Sequence, residues 1–366
     1  MRLASGVLFW LLVLAGPVRG EVWPAWEQYK AAMMSDDGRI IDHSSPRAIT
    51  TSEGQSYGLF FALVANDREG FDRLLNWTEN NLADGNLATR LPAWLWGQND
   101  HGDWGVLDSN NASDSDLWIA YSLLEAGRLW QEPDYTRLGR ELLWRSAAQS
   151  LQPMRGLGLG LLPGNIGFES DQGWRLNPSY LPLQLLARFE EESLIWGDVA
   201  DSSRKMLLEA APAGLAPDWL WWHRETGWDI PVDQSGGSYD AIRVYLWLGM
   251  LAQGAPGREL LIEQYVPMVS QVGRTGLPPE HVDSLEGMAQ GTGPVGFSAA
   301  LLPLLAARPE WQPLLQQQLD RVQAQPPEPR AYYNNSLLLF GLGWHQGFYC
   351  FDKRGRLRPA WLSSCE

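Results

Sequence analysis

Cysteine is nearly absent. The 366 residues contain two, Cys350 and Cys365, both near the C-terminus. A disulfide framework is therefore excluded; in an oxidising compartment the pair would close only a short terminal loop. Positive charge is also scarce, with 28 Lys and Arg against 43 Asp and Glu and a formal net charge of −15. A nucleic-acid partner needs a basic footprint, and this chain offers none. The five histidines (His43, His101, His223, His281, His345) are scattered without HExxH spacing, so a zinc hydrolase is not indicated and no metal or cofactor is implied. No G-x-S-x-G is present, which removes the serine-hydrolase elbow. The run GLGLG at 156–160 has the wrong third spacing for a dinucleotide fingerprint and reads as a flexible loop.

Long apolar runs are missing except at the start. Residues 6–16, GVLFWLLVLAG, follow Arg2 and lead into small residues ending near Gly20. The run falls short of the ~20 residues that cross a bilayer, so residues 1–20 read as a secretory signal peptide, with a retained N-terminal anchor as the alternative. The remainder, 21–366, carries no later span.

Tryptophan is abundant, with 20 in the chain. Such rings fill cores, and they also stack on the flat apolar faces of sugar rings. An acidic protein suits a neutral substrate of that kind.

Strand-like alternation is scarce, and helical periods dominate. Twelve candidate helices alternate between two kinds. One kind is amphipathic, near 24–34, 69–81, 133–150, 195–211, 257–272 and 310–324. The other is apolar on nearly every side, near 55–66, 117–124 (LWIAYSLL), 177–189, 242–252 (IRVYLWLGMLA), 293–306 and 332–343. A helix apolar all round is buried all round, whereas an amphipathic helix lies at the surface. Six of each in alternation predict an all-α fold, an (α/α)6 barrel of six inner and six outer helices in one domain. The stretches 84–112, 151–176 and 212–239 are long for loops in such a domain, and long loops tend to be functional.

The apolar helices begin with polar groups they do not need for burial. Glu53 lies in TTSEGQSYG ahead of the first, and Asp114 and Asp116 in NASDSDLW open the second. Asn177 and Tyr180 in NPSY open the third, and Asp240 and Arg243 in SYDAIR the fourth. Tyr332, Tyr333 and Asn334 open the last. Like-oriented inner helices bring these ends to one mouth of the barrel. Asp and Asn also cap helices, so Asp114 and Asp240 have a structural reading beside the functional one; Glu is a weak cap, and capping explains Glu53 poorly. Helix N-termini favour ionised carboxylates, which suits a general base. A general acid must stay protonated, by partial burial or by a neighbouring carboxylate, and Asp114 near Glu53 would supply the latter. Glycosidic hydrolysis needs this division of labour.

The segment ASDSDLWIAYSLLEAGRLW (112–130) resembles the signature of glycoside hydrolase family 8, with Ser115 where the family usually has Ala or Gly. TTSEGQSYG, RLPAWLWG, LDSNNASD, NPSYLP, SYDAIRVY, GPVGFSAA and AYYNNSL extend the likeness from about Trp23 to Trp344, toward the periplasmic members encoded with bacterial cellulose synthases. The resemblance implies an (α/α)6 barrel, endo-cleavage of β-1,4-glucan (cellulose) with inversion, a periplasmic location and a functional association with a cellulose synthase complex. It assigns Glu53 as proton donor, Asp240 as the base that activates water, and Asp114 as the group that holds the sugar at the cleavage point. Arg243 would orient Asp240, and Trp96, Tyr180 and Tyr333 would line the cleft. Two alternatives stay open: a non-catalytic glucan-binding component of a secretion machinery, and a family-8 hydrolase acting on xylan or chitosan.

Overall fold

The computed structural model describes residues 23–230, 234–326 and 328–362. The expected signal segment at 1–20 and Cys365 lie outside the described residues; Cys350 is not a free thiol. Thirteen α-helices occur among the described residues.

Six of them are buried along half or more of their length. These are α2 (Ser52–Val64), α4 (Ser113–Leu129), α6 (Leu183–Glu190), α8 (Ile242–Gly249), α11 (Val295–Leu305) and α13 (Tyr332–His345). In α2 every residue except Glu53 is buried. The other helices are amphipathic: α1 (Pro24–Met33), α3 (Arg68–Leu82), α5 (Pro133–Ser150), α7 (Ile195–Glu209), α9 (Arg258–Gln264), α10 (Val266–Thr275) and α12 (Gln312–Ala324). The buried helices touch in cyclic order: α2 meets α4, α4 meets α6, α6 meets α8, α8 meets α11, α11 meets α13, and α13 returns to α2. Each is backed by an amphipathic neighbour: α3 on α2, α5 on α4, α7 on α6, α9 on α8, α12 on α11 and α1 on α13.

The sequence expectation differs from this in four places. The fifth amphipathic helix, expected as one over 257–272, breaks at Tyr265 into α9 and α10, because Pro267 has no N–H to give and belongs in a first turn. The third inner helix starts late, since Pro178 opens a separate 3-10 turn (Pro178–Tyr180) and Pro182 stands at the N-cap of α6. The first begins early, at Ser52, which places Glu53 inside the first turn of α2. The GLGLG run is ordered: β5 (Gly158–Leu161) pairs antiparallel with β4 (Leu151–Met154), and the turn uses Gly156 and Gly158 at positive φ.

The long connections hold short hairpins. A three-stranded sheet joins β1 (Thr50–Thr51), β2 (Leu95–Gln98) and β3 (Trp104–Asp108); another joins β6 (Gly173–Leu176), β7 (Leu220–His223) and β8 (Gly227–Asp229). After α8 comes β10 (His281–Asp283), which pairs with β11 (Ala289–Gln290) on one side and with β9 (Gly236–Gly237) on the other. The hairpin of β12 (Tyr349–Phe351) and β13 (Leu357–Pro359) follows α13.

One cluster of buried apolar side chains runs from Trp23 to Leu357. At its centre Phe340 meets Tyr57 at 4.9 Å, Phe60 at 5.4 Å and Trp247 at 5.0 Å between ring centroids. Aromatic pairs at such separations add to the stabilisation from burial alone. Trp26, Trp118 and Trp196 are wholly buried, so part of the tryptophan excess is core. Among the described residues no helix is long and apolar enough to cross a membrane.

Candidate functional site

The starts of four inner helices meet at one point. Glu53 is the second residue of α2, and Thr51 Oγ1 caps the helix by accepting from Gly54 N at 3.1 Å. Asp114 is the second residue of α4 and is buried. Its Oδ1 accepts from Ser115 N at 2.7 Å, and the N-cap position belongs to Ala112. Asp240 precedes α8, but the backbone there is held by another acid: Asp218 Oδ1 accepts from Ser238 N at 2.8 Å and from Ala241 N at 2.7 Å. Capping therefore explains neither Asp114 nor Asp240.

All three carboxylates converge on Arg243, which is 2 % exposed. Its Nη2 donates to Asp240 Oδ1 at 2.5 Å, one helical turn back along the chain. Its Nη1 donates to Glu53 Oε2, to Asp114 Oδ2 at 3.3 Å and to Tyr57 Oη at 3.0 Å. An isolated buried guanidinium would be strongly disfavoured; three facing acids make this one tolerable. Burial opposes its charge, but Tyr57, Glu53, Tyr333 and Asp240 outweigh that and hold Arg243 firmly protonated. Glu53 Oε1 is also occupied, accepting from Tyr332 Oη at the start of α13.

Burial decides which acid keeps a proton. Asp114 is pushed up to about 7 by desolvation, with the charge of Arg243 opposing and that of Glu53 adding. Glu53 is among the charges that raise Asp114, so the two acids are neighbours. Asp116, also buried, is raised well above the usual carboxylate range by desolvation, while it accepts from Asn111 Nδ2 at 2.6 Å. Asp218 is raised by burial, with Asp240 adding to the shift.

The other expected residues divide. Tyr180 joins the cluster, its ring 5.7 Å from the Arg243 guanidinium and 6.1 Å from Trp219. Tyr333 borders it, donating to the Tyr239 carbonyl. Burial raises both hydroxyls well above the usual tyrosine range, so both remain donors at working pH. Trp96 stands apart. It lies opposite Thr50 in the β1–β2 ladder, whereas Thr51, whose hydroxyl approaches Tyr332, lies opposite Leu95. Partners directly opposite share a sheet face and successive residues alternate, so Trp96 faces away from Tyr332. Its ring stacks on Trp104 at 5.3 Å and on the Arg39 guanidinium at 4.4 Å. A similar group on another hairpin stacks Trp219 on Phe168 at 5.8 Å with Arg175 at 4.2 Å. Both present half-exposed aromatic surface of the kind that binds sugar faces.

Glu53, Asp240, Arg243, Tyr239, Tyr332 and Tyr333 border a cavity of about 420 Å³, with Asp42 and Ser44 at its edge. A larger cavity of about 510 Å³, between α6, α7 and the turn of the β12–β13 hairpin, contains none of these groups. The smaller one is the candidate site, because the paired acids lie there. Sequence reasoning missed Tyr57 and Asp218 as site residues, and it placed Tyr332 at the barrel mouth without giving it a role. Tyr57, one turn after Glu53, and Tyr332, beside Tyr333, were within reach of helical spacing; Asp218 lies in a loop without periodicity.

Comparison with known proteins gives the family. The profile of glycosyl hydrolases family 8 matches residues 7–347. An endoglucanase of Escherichia coli O157:H7 is 48% identical over 365 residues, covering 99% of this chain and 98% of its own. An endoglucanase of Salmonella typhi is 51% identical over 344 residues, covering 94% and 92%. The crystal structure of an endo-1,4-D-glucanase from Vibrio fischeri ES114 superposes with a TM-score of 0.86 at 46% identity, covering 93% of this chain and 99% of that one.

Proposed function

Because this chain belongs to glycosyl hydrolase family 8, we propose that its site cuts β-1,4-glucan within the chain and with inversion. It is an endoglucanase; the substrate linkage, stereochemistry and residue roles are our reading. The observation that carries the roles is the meeting of Glu53, Asp114 and Asp240 on one buried arginine.

In this reading Glu53 gives its proton to the glycosidic oxygen as the bond to the anomeric carbon breaks. Asp240 takes a proton from a water that attacks the opposite face, and that water's oxygen becomes the new anomeric hydroxyl. Arg243 aims Asp240 through the bond from Nη2 to Oδ1. Asp114, too deep to reach the water, bonds the hydroxyls of the sugar at the cleavage point. The proton gained by Asp240 returns to Glu53 through solvent. Inverting enzymes hold their two carboxyl groups roughly 6.5–9.5 Å apart to admit sugar and water, so substrate displaces the Arg243 bridge between Glu53 and Asp240. The half-exposed Trp96 and Trp219 groups supply further aromatic surface on which sugar faces can stack.

The wider reading takes residues 21–366 as one catalytic domain with the (α/α)6 barrel, supported by the cyclic helix contacts. It places the protein in the periplasm, after removal of residues 1–20, in the service of cellulose synthesis; fractionation of cells carrying the full-length gene tests the location, and recovery only in the cytoplasm would refute it.

The roles are tested with carboxymethylcellulose. Glu53→Gln is expected to lose 10²–10⁴-fold in reducing-end release, about what one general acid supplies. Near-wild-type turnover would remove Glu53 from its role. Proton NMR of cello-oligosaccharide cleavage should show the α-anomer first; the β-anomer first would overturn inversion.

A further inference from the structure

We propose that Tyr332 is a positioning residue for the proton donor: its hydroxyl fixes one oxygen of Glu53 as an acceptor, so that the catalytic proton is carried on the other. This rests on the assignment of Glu53 as general acid.

The geometry is specific. Tyr332 is 8 % exposed and opens α13. Its Oη donates to Glu53 Oε1, whereas Arg243 Nη1 donates to Oε2. The two donors differ in what they allow. A guanidinium can never accept, so Oε2 carries a proton only once substrate has drawn Arg243 aside. Tyr332 does not need to move. With a proton on Oε2, Oε1 is a carbonyl oxygen and still accepts from Oη; when that proton leaves, Oε1 becomes part of an anion and the same bond strengthens. Tyr332 thus holds the carboxyl plane through the transfer and stabilises its product more than its reactant.

The protein keeps Tyr332 in place by three further contacts. Ser336 Oγ donates to the Tyr332 carbonyl at 3.0 Å and meets Tyr29 Oη at 3.1 Å, which ties the first turn of α13 to α1. Thr51 Oγ1 lies 3.5 Å from Tyr332 Oη. The third is a close approach at Gly54, the residue after Glu53. A Cβ placed there would come within 3.3 Å of the Tyr332 ring and 3.3 Å of Ile40. The absence of a side chain at 54 lets the phenol reach Glu53. Other charged or titratable groups around the pair are Tyr57 on α2, Asp114 on α4, and Asp240 and Arg243 at α8; Tyr333 adds its own hydroxyl from α13.

The test is the pH profile of kcat for cello-oligosaccharide hydrolysis in Tyr332→Phe, because the proton is carried in the substrate complex. Loss of the donor should move the alkaline limb, which reports the acid, upward by about one pH unit, and lower kcat roughly tenfold with little change in KM. Aryl cello-oligosaccharides with good leaving groups need less proton donation, so their loss should be smaller. Gly54→Ala, which displaces the ring without removing the hydroxyl, should shift the limb in the same direction by less. A thermal unfolding scan of each variant separates loss of fold from loss of function. An unchanged limb and kcat in folded Tyr332→Phe overturns the proposal, as does a change confined to KM. If Glu53→Gln is inactive while Tyr332→Phe behaves as wild type, only the role of Tyr332 falls; an active Glu53→Gln removes the underlying assignment.

Discussion

At Arg243 one guanidinium faces three acids, and their burial differs: the side chains of Asp114, Glu53 and Asp240 are 5%, 21% and 30% exposed. The deepest pays most for a charge, and Asp114 accordingly binds its proton more tightly folded than unfolded, near 7 against an ordinary value near 4. The sign follows. Below the unfolded value both states are protonated and Asp114 is no burden; stability is then lost as pH rises through the folded value. Asp114→Asn removes the titration, so its melting temperature should exceed wild type by a few degrees at pH 8, with the gain vanishing near pH 4. Scanning calorimetry across that range checks it, and a constant offset would contradict the assignment. Activity should fall at every pH. Of these residues, Glu53 was the most legible in the sequence, because glutamate in a helix-opening motif has no capping role to explain it. Tyr332 and Tyr333 were not separable there. Neighbours on a helix differ by about 100° in direction, and only the packing of α13 against α2 decides which one meets Glu53.

The helix starts build the site, and the fourth start depends on a residue outside the helix. Asp218 bonds the backbone at Ser238 and Ala241, on either side of Asp240. Asp218→Ala should destabilise by about 1–2 kcal/mol, as loss of a cap does. It should also lower kcat by more than the loss of stability explains, since both Asp240 and Arg243 ride on that segment. Asp218→Asn retains an acceptor and should keep most of both. Urea unfolding with parallel carboxymethylcellulose assays checks the pair; equal activity in Asp218→Ala and wild type would show the segment holding without it. Elements were legible where burial is uniform: α4, α8 and α11 are apolar on every side, and no other role suits such helices. Boundaries near proline were less so, as at Pro178, Pro182 and Pro267, where each ring resets the backbone locally. The short strands were illegible because two to five residues carry too little alternation to register. Asp218 was hidden for a related reason, as its partners come from a different stretch of chain.

At the scale of the whole molecule, early and late parts of the described chain are fastened to each other. Glu125, eleven residues and so about 16 Å along α4 from Asp114, is wholly buried. Its Oε1 accepts from Arg188 Nε at 2.7 Å and its Oε2 from Leu357 N at 2.8 Å, while Arg128 bridges to the Leu357 carbonyl at 2.6 Å. Glu125→Gln leaves the buried Arg188 with less compensation and should destabilise by about 3–5 kcal/mol. The proton-transfer groups are distant, so kcat well below the melting temperature should stay near wild type; a large loss there would show coupling between the two ends. The same contacts give the fold a direction in time. The first inner helix, α2, has α13 as one of its two ring neighbours, and α4 waits for the strand that follows α13. Both partners are made last. Until they arrive, a growing chain exposes the apolar flanks of its earliest helices and has no closed ring to settle into. Closure of the ring of inner helices therefore requires α13 and the hairpin after it, and a chain cut before Tyr332 would leave one flank of α2 uncovered.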